Sequence, residues 1–420
     1  MDSIAGIVAD LDSLPEEFSV EALCDVIKVE WIEEALRQTG RGSQRERRMP
    51  APLALWLVVL LALFRRHSYT NLLHLLAESL WARRHWPERA PPSSSALTQA
   101  RDRLGPEPVR RLFDRSSKAF LDEVPGLRLG GLRLMAMDGS TGRTPDCEAN
   151  EAHFGRPGSS RGRSAYPMLR MVTLLDLGTR LTVDTRFGPY RTGEVTLARS
   201  LLEGVPMDAL VVMDRNFAAY ELLWDLHQGR GAHFVVRVKR NMKSRTVRRI
   251  SRSERIVRIR IPRAVRRHRP DLPCTWDLRE VTCRPRPGHE AIRLFTSMLD
   301  PTQVSAEEIA GAYGQRWGQE TAFDETKTHL LGHSTVNQPV LFRSKTPRRV
   351  EQELYGVFLA HNVVRMLLFR AAPAAELSPL RLSFVVALER VREAVRDMAA
   401  LPTARLPERY ARLLAALTRV

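Results

Sequence analysis

Leu134-Met135-Ala136-Met137-Asp138-Gly139 and Leu210-Val211-Val212-Met213-Asp214-Arg215 repeat one pattern, four apolar residues closed by an aspartate. Short apolar runs of this kind read as strands. Working outward, Met168–Leu177 and Leu181–Phe187 read as a hairpin turned at Asp176, Gly178 and Thr179. A helix is expected from about Glu194 to Leu202, a strand over Ala209–Met213, a helix near Tyr220–His227 and a strand over Phe234–Val238. The resulting order β, β, β, α, β, α, β is that of a mixed α/β sheet. Strand ends in such sheets open into the crevice where ligands bind, so two carboxylates placed there can share a hard cation. Either aspartate alone reads equally as a loop initiator or a helix cap. Two in the same setting favour the ligand reading.

Between the first strands, Gly155 to Arg163 is rich in Gly, Ser and Arg and is expected to be an irregular, mobile basic loop. From Lys239 to His289 the alternation is interrupted by arginines and by a period of two, with Val257, Ile259 and Ile261 facing one way and Arg258 and Arg260 the other. This predicts an inserted β module with one basic face. Leu294–Leu299 returns to a core strand, and a long helix is expected from about Ser305 to Leu331. After Pro347 the chain reads as helical, with a hinge at Ala371–Ala375. Residues Phe18 to about Leu121 also read as helices, broken at Gly40, Pro50, Pro87 and Pro91-Pro92. Ser93-Ser94-Ser95 is positioned to cap a helix through Arg103, and Gly105-Pro106 turns the chain into a second helix holding Arg110 and Arg111. In outline this is a helix-turn-helix, although an ordinary helical pair with a solvated basic face accounts for it better.

The 420 residues suffice for two or three domains with real cores. Hydrophobic residues at 44% and charged residues at 27% exclude a largely disordered or collagen-like chain. Lys+Arg at 65 against Asp+Glu at 48 gives +17, a field that attracts polyanions, nucleic acid first and an anionic membrane second. Only six of the basic residues are lysine. Cys24, Cys147, Cys274 and Cys283 have no CxxC spacing, which points away from zinc knuckles and disulfides and toward a reducing cytoplasm. The opening residues lack the basic and apolar regions of a signal peptide. The longest apolar run, Ala51 to Phe64, falls short of the roughly 18 residues that a membrane span requires and is read as a buried helix. Eleven histidines show no HExxH spacing, and no Walker-type glycine loop is present.

A third signal lies on the expected long helix. At about 100° per residue, Tyr313 at 0° is followed by Arg316 near 300°, Glu320 near 340° and Lys327 near 320°, so all four share one face. Trp317 and Asp324 fall beside it. An apolar core face would not carry these charges; a salt-bridged surface helix with an Arg316–Glu320 pair is the competing reading.

Asp138-Gly139-Ser140, Asp214-Arg215-Asn216-Phe217 and Tyr313-x2-Arg316-Trp317-x2-Glu320-x2-Phe323-x3-Lys327 closely resemble the three signatures of DDE transposases of the insertion element four family. Residues 18–120 resemble that family's N-terminal domain, notably over Ser95-Ala96-Leu97-x2-Ala100-Arg101-x-Arg103-Leu104-Gly105, and the likeness fades after about residue 370. The resemblance implies a ribonuclease H-like mixed-sheet α/β core with an inserted β module, preceded by an all-helical domain and followed by C-terminal helices. The corresponding boundaries are a DNA-binding domain at 1–125, a catalytic domain at 126–345 interrupted by the insertion at 239–289, and a helical region at 346–420. It further implies that Asp138, Asp214 and Glu320 bind two Mg²⁺ or Mn²⁺ ions, and that Tyr313, Arg316 and Lys327 handle the DNA. Arg215 either neutralises a phosphate or caps the adjoining helix. The separations agree with an insertion, 76 residues between the aspartates and 106 from Asp214 to Glu320.

The expected activity is therefore cut-and-paste transposition: binding terminal inverted repeats, cleaving the ends, and joining the 3′-hydroxyls to target DNA. The expected partners are transposon-end and target double-stranded DNA, with no membrane. Two ends must be cut in concert, so a homodimer on DNA is expected, with the helices after Pro347 in its interface. The alternatives are a related endonuclease that does not join strands and a catalytically inactive DNA-binding descendant, the second disfavoured by intact acids at all three positions.

Overall fold

The computed structural model describes residues 23, 26–42, 49–78, 92–159, 162–163, 165–239, 242–284, 290–332, 342–398 and 405–418. The breakers Pro87 and Pro91, and the arginines at 47 and 48, lie outside the described residues. The chain divides into two compact units. One joins Met1–Asp122, Arg143–Asn150 and Asp324–Val420; the other joins Glu123–Gly142 and Glu151–Phe323.

The first unit is helical. Its apolar helix Ala51–Leu63 is buried from Leu53 to Leu63, all the way round, because a run with no polar face has no side to give to water. It packs on Pro347–Ala371, and Gly356 marks the contact: a Cβ there would lie 2.7 Å from Val58 Cγ1 and 2.9 Å from the Val58 carbonyl oxygen. Among the described residues no helix is long and apolar enough to cross a membrane. Ser93 caps Ser94–Leu104 by accepting from the Ala96 N–H, and Gly105, at φ 70°, turns the chain toward Glu107–Glu123. Arg101, on the first of these helices, is buried: its Nε donates to Gln352 Oε1 at 2.7 Å, while Gln352 Nε2 returns bonds to the Arg101 and Gly105 carbonyls. The residues Ala372–Ala375 form a single 3₁₀ turn, followed by Glu376 in the left-handed region.

The second unit holds the sheet. In chain order its strands are β1 (Arg128–Leu129), β2 (Leu132–Arg143), β3 (Gly158–Ser159), β4 (Gly162–Arg163), β5 (Met168–Asp176), β6 (Thr182–Pro189), β7 (Ala209–Met213), β8 (His233–Arg237), β9 (Ser244–Arg249), β10 (Glu254–Arg260), β11 (Thr275–Cys283) and β12 (Ile292–Thr296). Ten of them form one mixed sheet, ordered β6-β5-β2-β7-β8-β12-β11-β10-β9 with β1 beside β2. The β2–β7 and β7–β8 pairs are parallel, and the pairs from β8 through β12 to β9 are antiparallel. Side chains of alternating parity feed two cores. Met135, Met137, Val211 and Met213 pack with Leu197, Leu201 and Leu222; Leu134, Ala136, Leu210 and Val212 pack with Ile309, Ala312 and Ala322.

Within 239–289, β9, β10 and β11 continue the main sheet through β12, and Val257, Ile259 and Ile261 are buried while Arg258 and Arg260 are exposed, as their alternation predicts. Three expectations are corrected. Part of the Gly155–Arg163 loop is regular, with β3 and β4 paired antiparallel. A helix, Glu148–Phe154, stands where none was expected. Finally, the long helix is broken into Ala306–Gly314, Trp317–Asp324 and a π turn at Glu325–Leu330. At the break the N–H groups of Arg316, Gly318 and Gln319 reach the carbonyls three residues back, and Gly311 and Gly314 weaken the helix leading into it. A constant 100° step therefore fails, and Tyr313 to Lys327 do not form one unbroken stripe.

Candidate active site

Asp138 lies on β2 and continues the parity of Leu134 and Ala136, which aims it at the face covered by Ala306–Gly314 and Trp317–Asp324. Met137 is registered with Met213 across the parallel pair, so Asp138 on β2 and Asp214, the residue that follows the end of β7, are the next residues in register. Gly139 points to the opposite face, where a Cβ would lie 2.8 Å from the Glu194 carboxyl carbon. A side chain there would have to displace the end of the Glu194 side chain.

Asp214 serves as the cap that its position allows. Its Oδ1 accepts from the Asn216 N–H at 2.7 Å and starts the 3₁₀ turn Arg215–Phe217. Its second oxygen takes no hydrogen bond among the described residues, so capping and ligation are compatible. Glu320 is presented by Trp317–Asp324, a helix fixed to the sheet from one residue away: buried Gln319 donates to Thr173 Oγ1 on β5. Gly318 lets this helix sit down, since a Cβ there would come within 3.1 Å of Leu177.

Arg316, at the helix break, joins the acids. Its Nη1 donates to Asp138 Oδ2 at 3.2 Å and its Nη2 to Glu320 Oε1 at 2.9 Å, with the guanidinium side chain only 15% exposed. Asp138 Oδ1 accepts the Gly139 N–H at 2.8 Å. Burial pushes the Asp138 carboxyl up to about 6; the Gly139 hydrogen bond and Arg316 oppose this, while Asp214 and Glu320 add to it. One guanidinium is thus shared by two carboxylates, Asp138 and Glu320, and Asp138 also feels the charge of Asp214.

The other expected residues are distributed unevenly. Tyr313 is half-buried beside Arg316, its hydroxyl pKa raised mainly by burial, within the fields of Arg237 and Asp214. Arg215 is exposed next to Asp214. Lys327 lies on the π turn Glu325–Leu330, in the helical unit. Asp324 is engaged by Thr328 Oγ1 at 2.5 Å and by His329 Nε2 at 3.4 Å. An open cleft of about 390 Å³ adjoins the arginine, lined by Cys283, Arg284, Tyr313, Gly314, Arg316 and exposed Trp317.

Sequence reading missed two bases. Arg237 ends β8, the third parallel strand, and Lys239 donates to the Asn216 carbonyl at 3.3 Å beside Asp214. Inspecting the residues after all three parallel strands, and not only the acidic ends, would have found them.

The donors at this site are all carboxylate oxygens, the type that hard divalent ions prefer. Among the described residues, however, no three Asp, Glu, His or Cys side chains are gathered closely enough to hold an ion as they stand. The obstruction is visible: Arg316 holds Asp138 and Glu320 by the oxygens that an ion would take. The residue types fit a divalent cation.

A mixed sheet with aspartates on adjacent parallel strands, faced by a glutamate from a covering helix, defines an acid-centred α/β enzyme. The Insertion element 4 transposase N-terminal family matches residues 17–114, and the Transposase DDE domain family matches residues 129–363. The transposase InsG of insertion sequence element IS4 from Escherichia coli is 30% identical over 407 residues, covering 96% of this chain and 88% of its own. The Escherichia coli chain InsZ is 30% identical over 236 residues, 54% of this chain and 75% of its own. A solved piggyBac transposase synaptic complex with hairpin DNA aligns with 95% of this chain and 87% of its own, at a TM-score of 0.43 and 14% identity. The chain belongs to the insertion element 4 family of DDE transposases.

Proposed function

We propose that this chain is a cut-and-paste transposase with a ribonuclease H-like core: it binds the terminal inverted repeats of an insertion element, hydrolyses a strand at each end, and transfers the freed 3′-hydroxyls to target DNA. The observation that carries the reading is the convergence of Asp138 and Glu320 on one guanidinium, with Asp214 at the neighbouring strand position, in a chain of this family.

Asp138, Asp214 and Glu320 are the residues that would hold two Mg²⁺ or Mn²⁺ ions. When bound, such a pair activates a water or 3′-hydroxyl on one side of a phosphodiester and stabilises the leaving oxygen on the other. In the first step the phosphorus–O3′ bond breaks and a water oxygen replaces it; in the second the 3′-hydroxyl oxygen attacks a target phosphorus and displaces another 3′-oxygen. Asp138 and Asp214 stand on a rigid sheet, and Gln319 fixes the helix that brings Glu320, so the acids are oriented before substrate arrives. Tyr313, Arg316, Lys327 and Arg215 are assigned to DNA phosphates. Residues 1–125 are assigned to recognition of the ends, 126–345 to catalysis with 239–289 as its basic extension, and 346–420 to a homodimer formed on DNA.

Incubating the protein with Mg²⁺, a fragment carrying its element's end and a target duplex tests the reading. Joined products are expected; cutting without joining identifies a nuclease, and binding without cutting an inactive descendant. Asp138→Asn or Asp214→Asn is expected to remove cleavage and retain binding to end DNA, because one amide cannot supply the charge that holds the ions. Wild-type cutting by either variant in Mg²⁺ places the chemistry elsewhere.

A further inference from the structure

The bridge made by Arg316 has a meaning beyond DNA contact. Its guanidinium lies largely buried between Asp138 Oδ2 and Glu320 Oε1, the two oxygens facing each other from sheet and helix. The remaining Asp138 oxygen is occupied by the Gly139 N–H, and Asp214 Oδ1 is occupied by its own cap. A cation spanning Asp138 and Glu320 therefore competes with Arg316 for Asp138 Oδ2 and lies beside its bond to Glu320 Oε1, and two cations in that space repel. The arginine also sits at the break between Ala306–Gly314 and Trp317–Asp324. The cleft lined by Tyr313, Arg284 and Trp317 opens beside it.

We propose that Arg316 is a resident counter-cation of the acid triad, and that divalent ions load by displacing its guanidinium from Asp138 and Glu320. The inference rests on the assignment of the acids as metal ligands. Metal-free, the arginine keeps three carboxylates tolerable in one place and keeps the site closed. Displaced, it is left without its anions, and the adjoining cleft is where a phosphate replaces them. Ion loading and backbone binding then favour each other, each supplying what the other removes.

The test uses the full-length protein without DNA, titrated with Mn²⁺ at pH 8 while the electron paramagnetic resonance signal of free Mn²⁺ is followed. Arg316→Gln is expected to bind Mn²⁺ about tenfold more tightly than wild type, since the competing charge is gone. Arg316→Lys, whose ammonium cannot span two carboxylates as a planar fork does, is expected to fall between them. Without metal, Arg316→Gln is expected to melt below wild type, and saturating Mn²⁺ is expected to narrow the gap. Equal or weaker Mn²⁺ affinity in Arg316→Gln, with Arg316→Lys folded and also unimproved, overturns the counter-cation role. Adding Asp138→Asn to wild type and to Arg316→Gln separates the two levels: loss of tight Mn²⁺ binding is expected in both. Unchanged binding there overturns the metal assignment itself.

Discussion

Asp138 in the sheet unit, partly buried, and Glu325 in the helical unit, buried, are both acids that meet an arginine, yet they are displaced in opposite directions. At Glu325 burial raises the carboxyl, but the hydrogen bond from His361 and the charge of Arg365 outweigh it and bring it down to about 2. Arg365 Nε donates to Oε2 at 2.9 Å, its Nη2 donates to Oε1, and His361 Nε2 donates to Oε2 at 3.0 Å. At Asp138 the same kinds of contact fail to offset burial, and the carboxyl stands at about 6. The difference is one of stoichiometry. Glu325 has a guanidinium and an imidazole to itself, whereas Asp138 shares one guanidinium with Glu320 and feels Asp214. A fold that matches a buried charge in one place and leaves a surplus of negative charge in another has the imbalance that the proposed function assigns to a cation.

Breaking the satisfied side has the largest expected effect. Glu325→Gln or Arg365→Leu should each cost about 3–5 kcal/mol in urea denaturation, because each leaves a buried group unmatched. The double variant Glu325→Leu/Arg365→Leu should lose less than either single one, since no uncompensated charge remains. Additive losses would mean that the pair is not the unit of stability. Glu325 titrates lower in the folded chain than in the unfolded one. Its contribution is therefore complete above the ordinary glutamate value and is lost only as pH falls through about 2.

The unsatisfied side has the opposite sign. Asp138 titrates higher when folded, so its stabilising contribution is complete below the ordinary aspartate value and is lost as pH rises through about 6. In metal-free buffer Asp138→Asn should therefore melt above wild type at pH 8, and the difference should close as the pH is lowered to about 4. A difference that does not change over that range would remove the charge surplus on which the contrast depends.

These two acids also mark what the sequence could and could not disclose. The runs ending at Asp138 and Asp214 were legible because parallel strands covered on both faces become short continuous apolar stretches, and a polar residue ending one stands out. The two-faced alternation of Val257, Arg258, Ile259 and Arg260 was legible for the converse reason, because an antiparallel strand with one solvated face alternates apolar and polar residues. That β11 pairs with β12 and makes the insertion part of the main sheet was not, because edge pairing leaves no local periodicity. The break at Arg316 was hidden too: Gly311 and Gly314 permit it, but packing of Gly318 against Leu177 and of Gln319 on Thr173 selects it. Arg316's hold on both Asp138 and Glu320 follows from that break, so a regular wheel placed the right residues near one another for an incomplete reason. Glu325 and Arg365 gave no signal, since a charged residue in a helical segment ordinarily faces water.

The contrast between matched and unmatched charge recurs on a smaller scale among the arginines at the far end of the sheet. Arg255 and Arg293 pair with Glu280, and Arg258 with Asp277. Arg245 and Arg249 on the edge strand β9, and Arg260 on β10, are exposed and form no ion pair among the described residues. Neutralising these three should weaken DNA binding for all sequences alike and lower the salt slope of affinity by up to about 0.9 for each phosphate no longer neutralised. Neutralising Arg258, already matched, should change the slope less. An altered sequence preference with an unchanged slope would assign the surface to base reading instead.

The smallest effect is expected one helical turn beyond Glu320, and it tests whether the comparison concerns position or merely acidity. Asp324 is more exposed than Glu320 and its local partners, Thr328 and His329, come from the following turn, with no guanidinium held between acids. Asp324→Asn should therefore leave cleavage and Mn²⁺ affinity near wild type and shift stability by no more than about 0.5 kcal/mol. Glu320→Gln should remove cleavage, because the amide cannot supply the charge that holds the ions. If the roles are reversed, with Asp324→Asn inactive and Glu320→Gln active, the helix presents its acid from the next turn. The bridge to Asp138 would then be a surface ion pair, and the assignments of Tyr313 and Arg316, which depend on the same motif registration, would fall with it.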